Sequence, residues 1–286
     1  MNAPITLQTH VQDYLAERRR LGFQLKHPRL ALMDFARYVD SLDWAGPLTL
    51  DVMSDWARLD KQGRHKSETW ARRFKLLRPF IRYLQQFEPA TPMPDESVFG
   101  PVPGWQMPHI YQDQEIIDLL AAARHLGAEG SLRAATYETL FGLIASTGLR
   151  VSEATHLLDA DVDLVQGLVT VRQTKFNKSR QLPLHPSVID ALLHYRTLRR
   201  QQVQDHANLP FFIGTRGQRL GKPLGPRQID RVFTTLRKQL GWINRSAHYA
   251  PRVHDLRHTF AVRRVLLWHS QGTDIDQAML ALSTYM

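Results

Sequence analysis

Arg150 stands in the segment TGLRVSEA, with Glu153 three residues on. An arginine there suits two roles. It can be a fork aimed at a bound oxyanion and held by Glu153, or one half of a structural salt bridge to Glu153. Lys175 stands in TKFNKSRQLPL, at a turn between two strand-like runs. A turn lysine can meet a backbone oxygen of a nucleic acid, give a proton to a leaving group, or simply be solvated. His254 and Arg257 stand in HDLRH, three apart and so on one face of a helix. One anion would meet a proton carrier and a charge clamp together. His254 and His258 also have the spacing of a zinc pair, but Asp255 follows the first histidine where a metalloprotease has Glu, and Arg257 lies between the two. A cation between two ligands argues against metal. Phe260, Val265 and Leu266 supply an apolar side, which assigns His258 to packing.

These residues need elements to hold them. Gly148 permits a left-handed backbone before Arg150, and Ser152 and Glu153 suit the start of the next helix. LVTVRQ and RQLPL read as two strands around the turn KFNK. Helices are expected around Asp113–Arg124 and Leu132–Ala145, after Pro186, after Pro226 with Ile229, Val232, Phe233 and Leu236, and over HDLRHTFAVRRVLL. The N-terminal part shows four apolar stripes at helical spacing: Leu7, Val11 and Leu15, stopped near Gly22; Leu32, Phe35, Ala36 and Val39; Val52, Trp56 and Leu59; and Trp70, Phe74, Leu77, Ile81 and Leu84. Pro79 should kink the last or mark its restart. Six prolines between 88 and 108 make an extended connector. The expected fold class is mainly α with a small β-hairpin or sheet (α+β), in two domains: 1–88 helical, 89–108 linker, 109–286 mixed.

The 286 residues carry no cysteine, which excludes disulfides, thiolate catalysis and cysteine-ligated zinc and fits a cytoplasmic setting. No apolar run is long enough to span a bilayer, and the first residues lack the layout of a secretion signal. Net charge is +10. Residues 172–264 hold 19 basic and 4 acidic side chains, whereas 113–163 hold 3 and 9. Such a concentrated excess is the footprint of a polyanion binder or a solvated basic surface. The candidate DNA contacts are Arg72, Lys75 and Arg82, off the apolar stripe of the fourth helix, and Lys178 and Arg180 beside Lys175.

TGLRVSEA, the hairpin with KFNKSRQLPL, and HDLRHTFA, in that order and spacing, resemble the tyrosine recombinases of the phage integrase family. The resemblance covers the whole chain: residues 1–88 look like the core-binding domain and 109–286 like the catalytic domain. It implies site-specific breakage and rejoining of double-stranded DNA through a 3′-phosphotyrosyl link, with no metal or other cofactor and no small-molecule substrate. By position, Arg150 and Arg257 would clamp the non-bridging oxygens. Lys175 would protonate the leaving 5′-oxygen, His254 would move the proton at the attacking oxygen, and Glu153 would support Arg150. The full-length form would act as a homo-tetramer on two DNA sites. After HDLRH the family pattern continues to a Gly-His pair and then the nucleophilic tyrosine. This chain reaches Met286 first, so the nucleophile is expected to lie outside it, and Tyr285 falls too early to be that residue. An alternative is a non-catalytic, regulatory DNA-binding protein on the same fold. A metal-dependent nuclease is disfavoured, since Asp190, Asp205, Asp230 and Asp255 are scattered.

Overall fold

The computed structural model describes residues 6–59, 67–102, 104, 107–128, 130–172, 179–204, 206, 208–243 and 250–286. The chain divides into two compact units, Met1–Trp105 and Gln106–Met286, each with its own apolar core.

The first unit contains α1 (Leu7–Arg20), α2 (Lys26–Asp40), α3 (Leu50–Arg58) and α4 (Ser67–Leu84). Thr6 and Thr49 cap α1 and α3, their side chains accepting from the Thr9 and Val52 amides that would otherwise lack partners. The four stripes meet in one core, with Val11, Phe35, Trp56, Leu77 and Ile81 wholly buried. Two details differ from the sequence expectation. α4 does not restart at Pro79 but runs through it, the proline falling on its exposed side, where water can satisfy the carbonyl it leaves free. Leu59 is largely exposed, because the backbone leaves helical geometry at that residue. The proline-rich stretch is irregular but not loose at its start. Met93, Val98 and Phe99 pack on the helical core, Phe99 lies edge-on to Phe74 at 5.3 Å, and buried Thr91 accepts from the Leu48 amide at 3.3 Å.

In the second unit, α5 (Asp113–Arg124) and α6 (Leu132–Thr147) are followed by α7 (Val151–His156). Then come β1 (Val162–Asp163), β2 (Leu168–Val171) and β3 (Arg180–Pro183), and last α8 (Pro186–Arg200), α9 (Pro226–Gln239), α10 (Val253–Ser270) and α11 (Ile275–Tyr285). α6 is the hub. It packs against α5, α8 and α10, and is buried on most of its circumference, as a helix apolar nearly all round must be. The strands form an antiparallel sheet in the order β1-β2-β3, with Val169 opposite Leu182 on the buried face and Val171 opposite Arg180. The fold is thus mainly α with a small antiparallel sheet. The turn between β2 and β3, with Lys175 and Lys178, lies outside the described residues. β1 and α11 go beyond the sequence reading. β1 is two residues long, too short to show alternation, and α11 rests on a cap, Asp274 accepting from the Asp276 and Gln277 amides. No described helix is long and apolar enough to cross a membrane.

Candidate active site

α6 ends at Gly148, whose φ of +66° is the left-handed conformation that closes many helices. A side chain here would also collide, since a Cβ would lie 2.5 Å from the Phe260 ring. The chain then turns through buried Leu149 and begins α7 with Arg150 at its N-cap. Glu153, in the first turn, reaches back to accept from the Arg150 amide at 2.9 Å and from its Nη1 at 2.8 Å. Arg150 is thus fixed at backbone and side chain by one carboxylate.

Arg257 approaches from α10. The start of that helix is fastened by Asp255, which accepts from the Arg252 amide at 2.9 Å, and by Tyr111, whose hydroxyl donates to the Arg252 carbonyl at 2.9 Å. Thr259 accepts from the Tyr111 amide at 2.9 Å. Arg257 is almost fully buried. Its Nη1 donates to the Gly148 carbonyl, and its Nη2 to the Met286 carbonyl oxygen at 2.7 Å. The same Met286 oxygen accepts from Arg150 Nη1 at 3.0 Å. Two guanidiniums from different elements therefore converge on one oxygen, the main-chain oxygen of the last residue, Met286. Burial, with Arg150 beside it, lowers the Arg257 pKa to about 10 although Glu153 opposes the shift. An arriving anion would relieve that strain.

The other expected residues are placed as follows. Arg180, assigned from sequence to DNA contact, is committed instead to Glu153: Nη1 and Nη2 donate to the two carboxylate oxygens at 3.2 and 2.8 Å. Its position at the start of β3 points it inward at the carboxylate, leaving its side chain only 14% exposed. Burial pushes Glu153 up, but the bonds from Arg180 and Arg150 outweigh it and hold the carboxyl below its usual range. His254 is exposed, one turn before Arg257 on α10; its ring lies edge-to-face with His258 at 4.9 Å. Partial burial, His258 and Arg257 lower its pKa, which favours the neutral ring able to accept a proton. Arg72, Lys75 and Arg82 are exposed on α4, at a spacing that gives them one face; Lys75 also pairs with Glu96 at 3.7 Å. Tyr285 stacks on Phe260 with centroids 5.7 Å apart, and burial raises its pKa although Arg264, Arg180 and Arg257 pull the other way.

Sequence reasoning missed one feature. A concavity of about 790 Å³ is bordered by Arg133 of α6, Arg216 and Arg219 of the segment between α8 and α9, and Arg227 and Arg231 of α9. None of the five has an acidic partner among the described residues. Four of them fell within the basic stretch counted from sequence, but nothing in the chain order said that they share a wall with Arg133. Pro226, at the first turn of α9, was the available signal, because it fixes where Arg227 and Arg231 project.

The profile of the phage integrase family matches residues 110–280. The chain belongs to the phage integrase family. It is 34% identical to the putative integrase/recombinase y4rB of Sinorhizobium fredii, over 98% of this chain and 88% of that protein. Among solved structures it shares its fold with the Tn1549 transposon integrase in complex with transposon right end DNA. There the TM-score is 0.60 at 17% identity, over 94% of this chain and 88% of that one. It shares it also with a lambda integrase tetramer bound to a Holliday junction, with a TM-score of 0.56 at 16% identity, over 94% and 74%.

Proposed function

We propose that this phage integrase family member binds duplex DNA and carries the phosphate-handling centre of a site-specific strand breaking and rejoining reaction. The observation that carries this reading is the convergence of Arg150 and Arg257 on a single oxygen. Replace that carbonyl by a non-bridging phosphate oxygen, and both forks are aimed at the charge that grows as a phosphodiester is attacked. His254, neutral and one turn away, takes the proton of the attacking hydroxyl; Lys175 gives one to the leaving 5′-oxygen. Tyr285 is not assigned the attack, since its ring is stacked on Phe260 and burial raises the pKa of its hydroxyl. Residues 1–88 act as the core-binding domain and 109–286 as the catalytic domain. Arg72, Lys75 and Arg82 meet the DNA backbone, and the arginine-lined concavity meets it again. DNA in one neighbouring structure and a tetramer on a junction in another support a duplex partner and tetrameric assembly on two sites.

The test is fluorescence anisotropy of labelled duplex DNA over a range of salt, for the wild type, Arg150→Ala and Arg257→Ala. Wild-type affinity should fall steeply with salt as counterions are released, and both variants should bind more weakly. Affinity indifferent to salt would refute the DNA reading. A nicked suicide duplex then tests the nucleophile: Tyr285→Phe should leave the yield of covalent protein–DNA complex as it is in the unsubstituted chain. A band lost in Tyr285→Phe would make Tyr285 the nucleophile.

A further inference from the structure

We propose that Arg180 is a positioning residue for the phosphate clamp: its two-bonded grip on Glu153 keeps that carboxylate turned to Arg150 and away from Arg257. The proposal rests on the clamp reading above. Glu153 sits among three guanidiniums. Oε1 accepts from Arg150 Nη1 at 2.8 Å and Arg180 Nη1 at 3.2 Å; Oε2 accepts from the Arg150 amide at 2.9 Å and Arg180 Nη2 at 2.8 Å. Arg257 Nη1 stands off Oε2 at 4.0 Å. A carboxylate has about four lone-pair sites, and these four bonds use them all. Arg257 thereby keeps its donors for the Gly148 carbonyl and for the oxygen it shares with Arg150.

Without Arg180, two acceptor sites open on a buried carboxylate beside Arg257. The nearest donor that can fill them is Arg257 itself. That fork would turn from the anion position to Glu153, and an internal carboxylate would then compete with the phosphate. Arg180 lies behind the clamp: its side chain is far less exposed than that of Arg150, at 14% against 41%, and among the described residues its hydrogen bonds go to Glu153. It opens β3, opposite Val171 of β2, so a strand rather than a loop fixes its reach. Lysine at this place would supply a point charge without the planar fork that spans both oxygens.

The experiment follows the arginine side-chain NMR signals of the whole chain during titration with inorganic phosphate, alongside thermal melting. In the wild type, Arg150 and Arg257 signals should move together and saturate. Arg180→Gln should melt near the wild type yet bind phosphate about tenfold more weakly, with the Arg257 signal already shifted before phosphate is added. Arg180→Lys should recover part of the loss, and Arg37→Gln, at an exposed arginine paired with Asp34, should change nothing. Wild-type phosphate affinity in a folded Arg180→Gln would overturn the proposal. So would failure of both Arg180 variants to fold, which would make the pair purely structural, or an Arg180 signal that follows phosphate as strongly as Arg150, which would make it a direct ligand. A wild type with no saturable response would bring down the clamp reading itself and this proposal with it.

Discussion

At the scale of single residues, Glu153 organises the cluster, because one carboxylate faces Arg150, Arg180 and Arg257 in a largely buried place. Removing it leaves three cations facing one another with no internal anion. Glu153→Ala should therefore destabilise the chain by about 3–5 kcal/mol, as measured by urea denaturation. The pH dependence has a definite sign. The folded carboxyl titrates below 4.5, its ordinary value, so its contribution is fully present above that pH. It fades as pH falls through the lower folded pKa. The stability gap between wild type and Glu153→Gln should accordingly be constant near neutrality and narrow in acid; a gap that widens there would contradict the assignment. His254 offers a second measurement. Its NMR titration midpoint should lie below 6.5, and His258→Asn should raise it by removing one of the lowering neighbours. The arginines and His254 were visible in the sequence as residue types at telling spacings. The role of Arg180 was not, because a strand cation shows its charge in the sequence but not its partner, and the partner lies on another element.

At the scale of elements, the junction of α6 and α7 does the positioning. Gly148 ends one helix in the left-handed region, gives its carbonyl to Arg257, and lets the Phe260 ring close over it. Gly148→Ala should cost about 1–3 kcal/mol from the backbone strain, with a further loss from the collision with Phe260. Phe260→Leu in the same chain should relieve only the collision, so a double-mutant cycle by thermal melting should show partial rescue. Full rescue would mean that the left-handed backbone carries no strain. The helix pattern here was readable because α9 is strongly periodic and α6, α8, α9 and α10 are long and opened by serine, proline or charged caps. α11 was harder. Its buried positions, Ala278 and Leu282, give only one helical interval, and its packing is supplied by α10, which sequence proximity alone does not reveal. At Pro79 α4 does not restart: a proline breaks a buried helix face, but on a wet face it costs one bond that water replaces.

At the scale of the whole chain, the basic excess can be divided into cations that are free for a polyanion and cations already spent. Arg180 is spent on Glu153, Arg199 on Asp159 and Arg172 on Asp161. Arg216, Arg219, Arg227 and Arg231 have no acidic partner among the described residues and line the same concavity. A count of charge along the sequence treats these two groups alike, whereas counterion release does not. Each phosphate neutralised adds about 0.9 to the steepness of log affinity against log salt. Arg227→Gln and Arg231→Gln together should therefore lower the slope for duplex DNA by up to about 2, with affinity falling by a similar factor on unrelated sequences. In the first unit, Arg72→Gln should lower it by about 1, and Lys75→Gln by less, because Lys75 must first give up its contact with Glu96. Arg172→Gln should scarcely alter the slope, since its charge is already balanced by Asp161. Anisotropy at several salt concentrations measures all four. If Arg172→Gln changed the slope as much as the paired Arg227 and Arg231 substitutions, free and spent cations would be indistinguishable to DNA, and the concavity would lose its claim to be a contact surface.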